Sequence, residues 1–138
     1  MTISLEQARV IIATALKMGV DKGMKPLSVL VVDAGGHPIA FERSEGAPPG
    51  RFGIAQGKAN ACVMMGMSGS ALQARAQDPF FTSLASTYGN FLPRMGGVLV
   101  RDASGQVVGA VGVTGCTSEN DAMAGAAGVE AAGLVAEA

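Results

Sequence analysis

The chain has 138 residues, with 10 Lys and Arg against 11 Asp and Glu, and its formal charge is −1. A chain of this size makes one domain, residues 1–138, with a core of its own, and it carries no basic stripe of the kind nucleic acid requires. A single His, two Cys without CxxC spacing and no apolar run of membrane length argue against an imidazole-built zinc or copper site and against a membrane partner.

Ser4, with Gln7 three residues on, forms a capping box, and Leu5, Ala8, Ile12, Ala15 and Leu16 mark one apolar face. A helix is predicted over Leu5–Lys22, and Pro26 forbids its continuation. Val29–Phe41 (VLVVDAGGHPIAF) recurs as Val98–Ala110 (VLVRDASGQVVGA). Each copy is an apolar run, an Asp-Ala-x-Gly reversal and a second apolar run, which predicts a β-hairpin. The strands fall near Leu27–Val32, Pro38–Arg43, Val98–Arg101 and Val107–Val113.

Between the hairpins, Ser44–Gly50 is a Gly/Pro loop and Arg51–Met67 a second helix, whose glycines demand tertiary burial. Gly57 is small enough to admit a close neighbour. Ser70–Gln77 reads as a third, short helix, and Asp78-Pro79 starts a fourth that runs to about Ser86. Asn90–Arg94 is the candidate for a fifth strand. Ser118 is expected to cap a last helix over Glu119–Ala136. The order is α-β-β-α…β-β-α, an α+β fold with helices on an antiparallel sheet.

Met1–Glu6 lacks the basic-then-apolar start of a leader, and Cys62 and Cys116 fit reduced thiols, so a cytoplasmic location is expected. With no Trp and one Tyr, the core must close on small side chains that bring backbones together. Faces of that kind continue into subunit interfaces, and a homo-oligomer is expected.

Three stretches carry a family resemblance: VVDAGGHPIAFERSEGAPPG, GKANACVMMG, and GGVLVRDASGQVVGAVGVTG leading into ENDAMAGAAG. Together they resemble the GlcG/HbpS-like family, also called the haem-degrading domain family, which includes the C-terminal domain of PduO. The resemblance implies a profilin-like fold, with a five-stranded antiparallel sheet between helices, and symmetric homo-oligomers. It implies less about activity, because members divide between haem handling and the catabolism of small organic acids, so the site must decide.

Arg43 ends the first hairpin, where a guanidinium can grip a carboxylate or simply pair with Glu42 or Glu45. Arg94, before Gly96-Gly97, is a candidate for a second carboxylate. Lys58 stands among Ala and Gly and either snorkels to solvent or lines a cavity. Gly115, Cys116 and Thr117 lead into a helix start, where backbone N–H groups favour an anion. Glu119 and Asp121 compete with such an anion or accept a proton. Cys116 is either a reactive thiol or a small packed residue. His37, at the first hairpin turn, is the one imidazole available should haem bind.

The expected function is proton transfer on a small enol or keto carboxylic acid, a tautomerase or isomerase of organic-acid or aromatic catabolism. Arg43 and Arg94 would hold the substrate's carboxylates, the Gly115–Ser118 turn would stabilise enolate charge, Lys58, Asp121 and Glu119 would move the proton, and no cofactor is expected. One alternative is a haem-binding or corrinoid-like-cofactor-binding protein of the HbpS type. The other is a non-catalytic oligomeric scaffold.

Overall fold

The computed structural model describes residues 2–138. Helix α1 spans Leu5–Asp21, and its capping box is closed both ways, the Gln7 N–H donating to Ser4 Oγ and the Ser4 N–H to Gln7 Oε1, each at 3.0 Å. The buried stripe is Ala8, Ile11, Ile12, Ala15 and Gly19, while Leu5 is exposed. Strands β1 (Ser28–Asp33) and β2 (Pro38–Arg43) form the first hairpin, and β3 (Gly97–Arg101) and β4 (Val107–Thr114) the second.

The two reversals are built alike, as their repeated sequence demands. Asp33 Oδ1 accepts the N–H groups of Gly35 and His37, both at 2.9 Å, and Asp102 Oδ1 accepts those of Ser104 and Gln106, at 2.9 and 3.0 Å. Gly36 and Gly105 take positive φ, 84° and 89°, which a side chain would resist. The hairpins pair antiparallel through β1 and β4 in a five-stranded sheet of order β2-β1-β4-β3-β5.

The outer strand β5 is Val135–Glu137, paired antiparallel with β3. It replaces Asn90–Arg94, which is irregular chain. The last helix, α5, is Ser118–Ala131, capped by Thr117 instead of Ser118 and shorter than expected. Gly133 ends it at φ 79°, where the Leu134 N–H reaches back to the Val129 carbonyl and the Gly133 N–H to that of Glu130. That left-handed stop frees the tail to become an edge strand.

Helices α2 (Arg51–Met65), α3 (Gly69–Ala74) and α4 (Pro79–Tyr88) complete the chain. Alternate β1 residues serve two cores. Val29 and Val31 pack with α1 and α5, whereas Leu30 and Val32 pack with Ala55, Ala59 and Cys62 of α2. The result is three layers, helix on sheet on helix. Backbones meet closely where a glycine allows it: a Cβ on Gly128 would strike the Ile11 backbone, and one on Gly112 the Ala55 backbone. Among the described residues no helix is long and apolar enough to cross a membrane.

Candidate functional site

The contact between Gly112 and Ala55 draws α2 down onto β4 and sets the depth of everything one turn further along. Arg51, Ile54 and Lys58 follow one face of α2 at helical spacing and look onto the end of β4 and the start of α5. There they line a cleft of about 390 Å³ with Leu92, Arg94, Thr114, Cys116, Ser118 and Asp121. That volume lies within the usual range of small-molecule sites, roughly 300–1,000 Å³.

Lys58 and Asp121 form its floor. Lys58 Nζ donates to Asp121 Oδ2 at 3.2 Å and to the Val113 carbonyl at 2.9 Å, and the Cys116 N–H donates to Asp121 Oδ1 at 2.9 Å. Both side chains are nearly inaccessible, at 5% and 3%. Burial pushes the Lys58 ammonium below its ordinary value, Asp121 pulls it back up, and Arg94 and Arg51 push it down further, leaving it lowered overall. Gly96, at φ 105°, makes room for this arrangement, since a Cβ there would come within 2.6 Å of Lys58 Nζ.

The rim is cationic. Arg51 Nη1 donates to Thr114 Oγ1 at 2.8 Å, and Arg94 is exposed with no hydrogen-bonded or ion-paired side-chain partner among the described residues. Arg94 is carried by the segment following α4, which lies on α2 because Gly57 lacks a side chain: the Leu92 N–H donates to the Gly57 carbonyl at 3.0 Å. Cys116 Sγ accepts Asn120 Nδ2 at 3.4 Å, and that donor, then the Lys25 backbone N–H, hold its thiol below the ordinary value.

Of the residues singled out in the sequence, the cleft brings together Lys58, Asp121, Arg94 and Cys116. Arg43 is exposed on edge strand β2, opposite Ser28, which in turn lies opposite Thr114. It therefore shares the α2 face of the sheet but does not line the cleft. Thr117 and Glu119 are exposed, and the Thr117 hydroxyl caps α5 by accepting the Asn120 N–H at 3.1 Å. Gly115 is packed so closely that a Cβ would strike the Pro26 carbonyl. The anion that the helix start favours is internal, because Asp121 itself takes the Cys116 N–H.

His37 stands at the opposite end of the sheet, beyond Asp33, roughly 17 Å along β1 by the strand rise of about 3.4 Å per residue. Its side chain is 80% exposed and lies 3.2 Å from Asp33 Oδ1. The sequence reading missed Arg51, Ile54 and Leu92 and gave no side-chain role to Thr114, whereas Ser118 belongs to the Gly115–Ser118 turn it singled out. Arg51 and Ile54 share the helical spacing of Lys58 directly after the Pro48-Pro49-Gly50 loop, which was the available signal.

The family model described as haem degrading protein HbpS-like matches residues 3–130. A solved structure of HbpS is 27% identical with a TM-score of 0.83, over 94% of this chain and 89% of that one. A PduOC:heme complex is 20% identical with a TM-score of 0.87, over 97% of each chain. Protein ORFY of Klebsiella pneumoniae is 24% identical with a TM-score of 0.84, over 95% of this chain and 90% of that one. A search of curated proteins found no match.

These matches correct the expectation of a proton-transfer tautomerase or isomerase, and they leave the expectation of no cofactor unsupported. The physical reason lies in the floor of the cleft. Lys58 and Asp121 neutralise each other in a closed network, which makes them a structural pair first. With the family model covering nearly the whole sequence, the chain belongs to the HbpS-like family of haem-degrading proteins.

Proposed function

We propose that this protein binds haem, seating the carboxylate-bearing edge of the macrocycle in the cleft between α2, β4 and α5. The observation that carries the reading is the pairing of two guanidinium groups, Arg51 and Arg94, with apolar walls from Ile54 and Leu92 in one open cleft. A porphyrin edge presents the same combination in complement, two carboxylates on an apolar ring. Arginine is the side chain best shaped to hold a carboxylate in a two-pronged way.

The residues present fit that edge of the group. Arg51 and Arg94 would hold the propionates, Ile54 and Leu92 the ring, and Lys58 would add positive potential from below. When bound, the haem supplies a redox-active iron. Arg43, on the same face of the sheet, would extend the cationic rim outward. A cytoplasmic location belongs to this reading, supported by the two free thiols. So does self-association, supported by the exposed side chains of Phe52, Met64, Phe80 and Tyr88.

The test is a haemin titration followed by absorbance. The expected result is a saturable shift of the Soret band, weakened about tenfold by Arg94→Ala, as loss of one charge-assisted contact implies. No saturable shift at any haemin concentration would refute the reading.

A further inference from the structure

The cleft offers haem more than a cationic rim. Of the side-chain types that hold haem iron, which are His, Cys, Met and Tyr, its lining residues include one, Cys116. His37 stands at the opposite end of the sheet, and the other thiol, Cys62, is fully buried. Lys58 and Asp121 also carry donor atoms, but both are nearly inaccessible and hold each other in the floor. Cys116 is half-buried and lines the cleft.

The sulfur is held by partners that fix its direction without covering it. The Cys116 N–H donates to Asp121 Oδ1 at 2.9 Å and ties the backbone to the floor, while Asn120 Nδ2 donates to Sγ at 3.4 Å. The Lys25 backbone N–H is a further donor to the sulfur. Donors of this kind stabilise a thiolate, orient it as a ligand and leave it lone pairs for a metal. Charge argues the same way. Arg51 and Arg94 complement the carboxylates of a haem, but ferric iron in its porphyrin keeps a net positive charge that cations cannot offset. Asp121 is already balanced by Lys58, whereas a Cys116 thiolate would supply the missing negative charge. Resting on the haem reading above, we infer that Cys116 is the thiolate ligand of the haem iron. On binding, the Cys116 S–H bond breaks and its proton passes to solvent. A sulfur lone pair then forms the Fe–S bond as the water or chloride carried by haemin leaves, and no electron changes hands.

The experiment titrates the full chain with haemin, followed by absorbance, and with metal-free protoporphyrin, followed by fluorescence. The parent with haemin is expected to show the sulfur-to-iron charge-transfer band of a ferric thiolate. Cys116→Ser should abolish that band and weaken haemin about tenfold or more, yet leave the metal-free ring within about threefold of the parent, since that ring has no iron to hold. Arg94→Ala should weaken both ligands and keep the band. Asn120→Ala removes a donor to the sulfur without touching the sulfur itself, and should move the band to longer wavelength. Should Cys116→Ser lose both ligands alike, the Asn120→Ala spectrum decides, and a band that does not move overturns the inference. Haemin bound with the same spectrum in the parent and in Cys116→Ser would overturn it and leave the haem reading standing. Failure of haemin to bind the parent would remove both.

Discussion

Lys58 Nζ lies 3.2 Å from Asp121 Oδ2, and the two residues, one on α2 and one on α5, tie opposite layers of the molecule together through the end of β4. With both side chains nearly inaccessible, neither charge has water to fall back on. Lys58→Met should therefore cost about 3–5 kcal/mol, the usual penalty for orphaning one member of a buried pair. Asp121→Leu should cost as much or more, because the Cys116 N–H also loses its acceptor. The double variant should lose clearly less than the two singles together, by about 0.5–3 kcal/mol. Urea midpoints of the four proteins measure this, and strict additivity would mean the pair is not coupled.

The same pair makes stability depend on pH in a definite direction. Burial first, and then Arg94 and Arg51, outweigh Asp121 and hold the folded-state value of Lys58 below its ordinary 10.5. Between that lowered value and 10.5 the unfolded chain binds the proton and the folded chain tends not to, so this group's contribution favours folding increasingly as pH rises. Below the lowered value its penalty is fully present. Urea midpoints taken from neutral pH to 10.5 should have a more positive slope in the parent than in Lys58→Met, the raised Cys62 thiol contributing alike to both. Equal slopes in the two proteins would contradict it.

The two cysteines should behave as chemically different reagents. Asn120 Nδ2, donating to Cys116 Sγ, and the Lys25 backbone N–H hold that thiol below its ordinary 9.0, whereas burial pushes Cys62 up to about 12. Iodoacetamide should label Cys116 alone in the folded protein, with a rate midpoint below pH 9.0. Asn120→Ala should move that midpoint upward, and Cys62 should react in denaturant. Mass spectrometry of a time course decides it, and comparable labelling of both thiols before unfolding would count against the assignment.

What could be read from the sequence was what local chemistry determines. Asp33 and Asp102 bind their own loop backbones, so the hairpins needed no tertiary information. Strand β5 was hidden because three residues show no periodicity and depend on pairing with β3. The Ala-rich run before Gly133 also reads as continuing helix. Lys58 stood out as a charge in small apolar surroundings and Asp121 as an acid at a helix start, and the cleft holds both, but Arg51 passed as an ordinary helix start. The activity was misread because a Lys and an Asp look the same in sequence whether they shuttle protons or cancel each other. The family's shared scaffold does not distinguish those uses.

The depth of the cleft rests on one missing side chain, and a glycine of β4 packed against α2, set beside a glycine within α2, gives a test with opposite signs. A Cβ on Gly112 would run into the backbone of Ala55, which cannot rotate away as a side chain would. Gly112→Ala should therefore lift α2 from β4 and cost about 3 kcal/mol or more, the upper range for overpacking. It should also weaken haemin binding, since Arg51 and Lys58 ride on the displaced helix. Gly53, in the first turn of α2, has nothing within 4 Å of the position its Cβ would take, and its φ is not positive. Gly53→Ala should stabilise the protein by about 0.5–1 kcal/mol through helix propensity alone and leave the ligand affinity unchanged. Thermal midpoints that shift the same way in both variants would show that helix propensity, and not the contact with β4, decides how α2 is held.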